Sequence, residues 1–151
     1  MQAVDTLRPV TADDKSAILR MMETFNQEEY IAYSLDRLGE SFDALLAHPE
    51  WGSILIAELG GIPVGYAILT YGFDFEYGGR EAFLTEVFVH PRNRGQKIGK
   101  DLVEGVEAFA RENGVKAIHL IVRQDNPRAQ RLYRKNDFHF DPRLLMSKVL
   151  K

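Results

Sequence analysis

Apolar residues recur at strand or helix spacing along most of the chain, and the clearest pattern lies near the middle. An apolar run in residues 82–90 predicts a buried strand that ends before Pro91. The apolar positions of this run are Leu84, Val87, Phe88 and Val89. A basic, glycine-containing loop follows at once, and apolar residues then recur at helical spacing up to Asn113. The middle of the chain therefore predicts a strand, a loop and a helix in direct succession.

The other elements follow from the same reasoning. Before the central strand we expect a strand over residues 3–9, helices over 12–28 and 34–48, and strands over 53–58 and 64–71. After the central helix we expect a strand over 117–122 and a short helix capped by Asp125 or Asn126. A closing strand or strands should follow over 138–150. The order is β-α-α-β-β-β-α-β-α-β. It predicts an α/β protein with a mixed sheet and helices on both faces, in a single domain over residues 1–151.

The loop between the central strand and helix has the features of an anion site. Backbone N–H groups at a helix start lack intrahelical acceptors, and the helix dipole adds partial positive charge there. The segment also carries four cationic side chains, Arg92, Arg94, Lys97 and Lys100. We expect a ligand that carries phosphates.

Charge is distributed unevenly along the chain, although the net charge is only −3. Residues 1–89 hold 5 Lys/Arg against 15 Asp/Glu, a balance of −10, whereas residues 90–135 hold 11 against 5, a balance of +6. A short basic segment without interleaved aromatic residues fits a small polyanion better than nucleic acid. Part of this charge also belongs to solvated helix faces.

The loop resembles the pyrophosphate loop of the GNAT superfamily of N-acetyltransferases, whose pattern is R/Q-x-x-G-x-G/A after a strand. Arg94 and Gly99 match the ends of this pattern, and Gly95 gives the frequent R-G opening. Lys97 stands where the family usually has a glycine, and we expect it to keep a helical φ, in which its N–H still donates. The alternative is that the site needs a positive φ, which would lower the affinity for the ligand. A second segment, DNPRAQRLYRKNDF, is similar to the family signature N-x-x-A-x-x-L-Y-x-x-x-x-F. Its matching positions are Asn126, Ala129, Leu132, Tyr133 and Phe138.

The resemblance implies the GNAT acyl-CoA N-acyltransferase fold and acetyl-CoA as the donor of an acetyl group. It implies that the pantetheine arm pairs with the backbone of the central strand and that the diphosphate lies on the loop. The residues expected to contact the donor are Val87, Phe88, Val89, Arg94, Gly95, Gln96, Lys97, Ile98, Gly99, Lys100, Asn126, Ala129 and Tyr133. Side chains in the strand also suit plain core packing.

Two residues are candidates for catalysis by direct transfer in a ternary complex. Tyr133 stands at the family position for the acid that protonates the CoA thiolate, and a phenol with a pKa near ~10 suits that task. Packing beside Leu132 is the alternative role of this tyrosine. Glu86, on the central strand, could take the proton of the amine, bind the positive charge of the acceptor or join a structural network. Thr85 faces the other way and is the weaker candidate.

The acceptor should be a primary amine, either a small amine or polyamine or an amine on a peptide. The acidic first part of the chain provides aromatic and carboxylate side chains that suit a cation, and we expect Tyr30, Tyr33, Asp74 and Glu86 to contact it. A non-catalytic CoA-binding sensor or subunit is one alternative, and a protein-specific N-acetyltransferase is another. A possible homodimer is implied only by the resemblance.

The remaining expectations concern what the sequence lacks. The chain has no cysteine, which excludes disulfides and a Cys-acyl intermediate and favours a reducing compartment. No signal-peptide core or membrane-length apolar run is present, so we expect a cytoplasmic protein without a membrane or nucleic-acid partner. The four histidines show no metal-ligand spacing, and no metal is predicted.

Overall fold

The computed structural model describes residues 4–151, which divide into two compact units: residues up to Ile121, and Val122–Lys151. The first unit contains β1 (Thr6–Pro9), α1 (Lys15–Glu28), α2 (Leu35–Ala47), β2 (Gly52–Leu59), β3 (Ile62–Asp74), β4 (Gly79–Val89), α3 (Ile98–Glu112) and β5 (Ala117–Leu120). Short 3₁₀ turns precede α1 at Ala12–Asp14 and follow β4 at Pro91–Asn93. The second unit contains α4 (Pro127–Lys135).

The five strands form one mixed sheet in the order β1-β2-β3-β4-β5. The first four strands are antiparallel to their neighbours, and β5 pairs with β4 in parallel. The predicted mixed α/β architecture is therefore confirmed. In residues 4–151 no helix combines the length and the apolar composition needed to cross a membrane.

Side chains of β2 show how the sheet separates two apolar cores. Leu55 and Ala57 belong to the core that α3 covers, whereas Ile54 and Ile56 belong to the core that α1 and α2 cover. This alternation is the period-two pattern of a strand that is buried on both faces. Helices therefore cover both faces of the sheet.

A β-bulge in β4 sets which face of the sheet the following side chains of the strand occupy. Ile68 of β3 pairs with Glu86, but the next residue, Leu69, pairs with Leu84, so β4 holds one extra residue, Thr85. Thr85 is exposed, and its hydroxyl donates to the Ile68 carbonyl oxygen at 3.3 Å. Because the bulge shifts the alternation, Glu86 comes to the face that α1 and α2 cover.

Two boundaries differ from the sequence prediction. The hairpin after β3 is tighter than expected, because β3 continues to Asp74 and β4 already begins at Gly79. The predicted closing strand over 138–150 is wrong, since these residues form no regular element in the structure. Asp141 and Pro142 interrupt the segment, and an apolar stretch without a hydrogen-bonded neighbour does not form a stable strand. The predicted start of the first strand at residue 3 lies outside the described residues.

Two glycines provide a matched test of this packing. A Cβ at Gly65 would collide with the carbonyl oxygen of Phe88 in the adjacent strand, whereas a Cβ at Gly39 of α2 would lie 3.5 Å from Lys15 Cε, an ordinary contact. We expect Gly65→Ala to lower the free energy of unfolding by about 2 kcal/mol through backbone displacement. Gly39→Ala should raise it by up to about 1 kcal/mol through helix propensity. Urea unfolding followed by circular dichroism measures both, and a change of the same sign in the two variants would contradict this packing.

Candidate active site

The parallel ladder between β4 and β5 ends early. It runs from Glu81 and Ala117 to Leu84 and Leu120, so the last part of β4 has no register with β5. On its other edge the same part of β4 pairs with β3 at Val87, Phe88 and Val89. One edge of the strand that precedes the basic loop is therefore not paired with β5, and its backbone groups can serve an extended ligand arm.

Glu86 lies beside this edge and is largely buried. Its Oε1 accepts a hydrogen bond of 2.7 Å from the hydroxyl of Tyr66, a core residue on β3. Burial raises the pKa of Glu86, and the hydrogen bond from Tyr66 opposes this rise. Burial and the negative charge of Glu86 also raise the pKa of Tyr66, so the phenol stays a donor. A carboxyl group with a raised pKa is suited to accept a proton near neutral pH.

The neighbours of Glu86 on β4 are core residues. Phe88 is buried and stacks on Tyr66, with ring centroids 5.6 Å apart. Val87 and Val89 pack against the core that α3 covers. Their side chains are used in packing, which leaves only their main-chain groups for a ligand.

Lys97 adopts a left-handed conformation, with φ +64° and ψ +10°. The expectation that it keeps a helical φ is therefore wrong. Lys97 is the N-cap of α3, and its carbonyl oxygen accepts from the Asp101 N–H at 3.1 Å. The loop must turn sharply to enter the helix, and Gly95 also has positive φ, at +80°. At Gly95 this conformation is free of strain, but at a lysine it costs about 1 kcal/mol or more.

The first turn of α3 provides the N–H groups predicted for the anion site. Ile98 is buried and anchors the helix start in the core, while Gly99 and Lys100 follow it. The N–H groups of this turn have no intrahelical acceptor, as at any helix start. Gln96 and Lys97 are exposed beside them. Lys100 also forms an ion pair with Glu104 at 3.2 Å.

Arg94 has a different position from the one expected of a phosphate-binding side chain. Its guanidinium forms a bidentate ion pair with Glu28 at the end of α1, with both N–O distances 2.6 Å. Its Nε donates to the Val89 carbonyl oxygen at 2.8 Å, and the group lies over the ring of Phe88. The side chain therefore ties the loop to α1 and β4. The charge of Arg94 is already balanced by Glu28.

In the second unit, Asn126 is the N-cap of α4, and its Oδ1 accepts from the Ala129 N–H at 3.1 Å. Pro127 occupies the first helical turn. Tyr133 is half-buried and packs edge-to-face against Phe138, with ring centroids 5.8 Å apart. The predicted cap is confirmed, and the motif residues Asn126, Ala129, Tyr133 and Phe138 stabilise one short helix and its end.

The predicted acceptor contacts lie in two places. Tyr30 and Tyr33 follow α1; Tyr30 is exposed with φ +56°, and the Tyr33 hydroxyl accepts from Gln27 Nε2 at 3.0 Å. Asp74 lies at the end of β3, where its carboxylate approaches the carboxylate of Glu81 and the imidazole of His119. Two partners were missed by the sequence analysis, Tyr66 for Glu86 and Glu28 for Arg94. Only the strand register, not the residue spacing, brings Tyr66 to Glu86.

Comparison with known proteins identifies the family to which this fold belongs. A family model described as the Acetyltransferase (GNAT) family matches residues 18–138. Thialysine N-epsilon-acetyltransferase of Bos taurus is 30% identical over 139 residues, which cover 85% of this chain and 80% of the bovine protein. An uncharacterized N-acetyltransferase of Archaeoglobus fulgidus is 29% identical over 133 residues, covering 87% and 90%.

Solved structures show the same architecture. An integron cassette protein from the mobile metagenome of Cole Harbour Salt Marsh superposes with a TM-score of 0.85 at 30% identity, covering 96% of this chain and 90% of that one. A predicted acetyltransferase of Clostridium acetobutylicum, crystallised with acetyl-CoA, has the same fold with a TM-score of 0.79 at 19% identity, covering 95% of each chain. The chain belongs to the GNAT family of acetyltransferases, and its class of activity is that of an N-acetyltransferase.

The left-handed Lys97 gives a direct test of the loop geometry. We expect Lys97→Gly to raise the free energy of unfolding by about 0.5–1 kcal/mol, because glycine adopts positive φ without steric cost. Lys100→Gly, three residues on at a helical position, should lower it by up to about 1 kcal/mol. Both variants remove one exposed lysine, so net charge is matched. Equal destabilisation by the two substitutions in urea unfolding would show that Lys97 is helical.

Proposed function

We propose that the protein transfers the acetyl group of acetyl-CoA directly to a cationic primary amine. The observation that carries the proposal is the largely buried Glu86, hydrogen-bonded to Tyr66 beside the edge of β4 that is not paired with β5, in a chain of the GNAT family. A crystallised neighbour of the same fold holds acetyl-CoA, which supports this donor.

The donor would be held mainly by backbone groups. Main-chain groups of Val87–Val89 that β3 does not use would pair with the amide-containing arm, apart from the Val89 carbonyl oxygen, which accepts from Arg94 Nε. The N–H groups from Gly95 to Lys100 would receive the diphosphate at the start of α3. Since Arg94 is engaged with Glu28, its part is to hold the loop in place, and Lys97 supplies the exposed positive charge. Asn126 and Ala129 would contribute through the motif they share with the family.

The proposed chemistry needs two proton transfers. The amine nitrogen attacks the thioester carbonyl carbon, a C–N bond forms and the C–S bond breaks. Glu86 accepts the proton that the amine loses, directly or through water, and the Tyr133 phenol gives a proton to the departing thiolate. The Glu86 role is supported by its burial and raised pKa. The Tyr133 role is supported by its motif position.

The proposed acceptor carries positive charge. Residues 1–89 are strongly acidic, and Tyr30, Tyr33 and Glu86 offer aromatic faces and a carboxylate to an ammonium group. Asp74 lies at the end of the sheet distant from the basic loop, so it would contact a different part of an extended acceptor. Thialysine, which the name of the bovine relative gives as its acceptor, supports a small amine over a protein. A cytoplasmic location, expected from the sequence, and a possible homodimer, implied by the family resemblance, complete the proposal. Size-exclusion chromatography with light scattering measures the oligomeric state.

Glu86 and Tyr66 together predict a pH profile. A base acts when deprotonated, so kcat/KM should rise with pH through a midpoint above 4.5, the ordinary value for glutamate. Glu86→Gln should abolish this rise of kcat/KM with pH and lower kcat by a factor of about 10²–10⁴. Tyr66→Phe removes the hydrogen bond that lowers the pKa of Glu86, so the midpoint should move to higher pH.

The matched control is Tyr71→Phe, since Tyr71 also lies on β3 but its hydroxyl contacts Ser53 Oγ at 3.1 Å. This variant should leave the midpoint in place. If kcat/KM of Glu86→Gln still rises with pH through the same midpoint, Glu86 is not the base. Its role would then be to bind the acceptor, and KM for the amine would rise instead.

Tyr133→Phe tests the acid and the acceptor class in one experiment. CoA thiol release from acetyl-CoA is measured with a panel of thialysine, lysine, polyamines, peptides and neutral or anionic amines. We expect turnover with cationic small amines and a loss of kcat of about 10² in Tyr133→Phe, because the variant keeps the ring that packs on Phe138 but lacks the proton.

Binding of acetyl-CoA is measured alongside, because it separates the alternatives. Undiminished turnover in Tyr133→Phe would exclude the phenol as acid. Tight binding without turnover across the panel would favour the non-catalytic module, and activity confined to peptides would favour a protein-specific enzyme. Preference for anionic amines would contradict the acceptor class.

A further inference from the structure

Three strands bring three metal-ligating side chains together at the end of the sheet distant from the basic loop. Asp74 is the last residue of β3, Glu81 lies near the start of β4 and His119 lies in β5. One oxygen of each carboxylate and one ring nitrogen all lie within 4.8 Å of one another. We infer that Asp74, Glu81 and His119 form a binding site for a divalent transition-metal ion such as Zn²⁺.

The imidazole of His119 is the first argument. Its Nε2 is buried, and among residues 4–151 it has no hydrogen-bond partner. Oε2 of Glu81 lies 3.1 Å from this nitrogen, but the direction of the contact is not that of a hydrogen bond. A buried ring nitrogen left in this way is costly unless something else occupies its lone pair. A metal ion does so.

The spacing of the ligand atoms is the second argument. Metal–ligand bonds to histidine nitrogen and carboxylate oxygen are about 2.0–2.2 Å, so adjacent ligand atoms around one ion lie roughly 3 Å apart. The 3.1 Å between Glu81 and His119 has this value. The other separations within the cluster, which involve Asp74, are no longer than 4.8 Å.

The charge balance is the third argument. Two carboxylates that approach one another repel unless a cation lies between them. The nearest cationic side chain in the sequence, Arg80, does not supply it. Its guanidinium stacks over Tyr71 at 4.0 Å and donates to the Asn113 carbonyl oxygen at 3.1 Å.

The surroundings favour an ion of this kind. Gly72 faces Glu81, and a Cβ at this position would lie 3.0 Å from Glu81 Oε1, so the glycine leaves room for the carboxylate. The rings of Tyr77 and Phe83 each lie 5.4 Å from the imidazole, measured between ring centroids, and pack beside it. One nitrogen and two oxygens suit Zn²⁺ or Mn²⁺ better than Mg²⁺, and three protein ligands leave a position open.

The ligands could not be found by spacing, because they are 7 and 38 residues apart in sequence. Chain order places each on a separate strand, and only the register of β3, β4 and β5 brings them together. Asp74 is also among the proposed acceptor contacts, so binding is to be measured on chelator-treated full-length protein with Zn²⁺ alone.

Titration calorimetry with Zn²⁺, and competition against a chromophoric chelator, should give one bound ion per chain. Affinity should fall at least about tenfold in His119→Ala and in Asp74→Asn. Millimolar Mg²⁺ should not displace Zn²⁺. Circular dichroism checks that each variant is folded. If His119→Ala is unfolded, Asp74→Asn, whose position is at a strand end, provides the test instead.

His48→Ala is the matched control. The Nδ1 atom of His48 lies 2.9 Å from Glu50 Oε1, but no third ligand group joins this pair among the described residues. We expect its Zn²⁺ affinity to equal that of the wild type. The inference is overturned if the wild type binds no stoichiometric Zn²⁺ or if Mg²⁺ displaces the bound Zn²⁺. It is also overturned if His119→Ala and Asp74→Asn bind Zn²⁺ as the wild type does, or if His48→Ala loses as much affinity as they do.

Discussion

The early end of the parallel ladder between β4 and β5 is the constraint on which the candidate site depends. Pairing stops at Leu84 and Leu120, although β4 continues to Val89. The extra residue at Thr85 follows directly, and it reverses which side chains face which core. The same short stretch of backbone thus frees one edge of β4 and points Glu86 toward Tyr66. In a regular strand Glu86 would face the same core as Leu84.

The basic loop depends on this stretch through Arg94. Its guanidinium reaches back to the Val89 carbonyl oxygen and across to Glu28 on α1, so three elements meet at one side chain. Partly buried bidentate pairs of this kind add geometric specificity as well as energy. The loop can then hold two left-handed residues, Gly95 and Lys97, without other regular structure to support them. Rigidity at the helix start is what an anion site made of backbone N–H groups requires.

Much of the fold could be predicted from the sequence, because the signals were local. Helix periodicity, the strand–loop–helix order and the Asn126 cap each depend on residues within a few positions. The uneven spacing of Leu84, Val87 and Val89 is a local sign of the bulge, because strict alternation along a strand cannot place all three side chains on one face. The closing strand could not be judged in this way, because a strand exists only with a partner, and partners are chosen across the whole chain.

The site was harder to predict because its contacts are between distant residues. Tyr66 meets Glu86, and Glu28 meets Arg94, only through strand register and helix placement. The conformation of Lys97 was predicted wrongly because lysine's helix propensity was taken as decisive, whereas tertiary context determines φ at a cap. Local preference fails where the backbone must meet a ligand, which is where strain is commonly stored.

Glu86 and Lys97 share one physical property: the fold holds each of them in an environment or a conformation that costs free energy. Burial works against the charge of Glu86, and steric repulsion works against the left-handed conformation of Lys97. The surrounding core provides the compensation, with Tyr66 and Phe88 stacked beneath Glu86 and buried Ile98 beside Lys97. A fold of this size has few kcal/mol to spare. Two such costs within one strand–loop–helix segment are what we expect of a segment that carries the proposed binding and proton transfer.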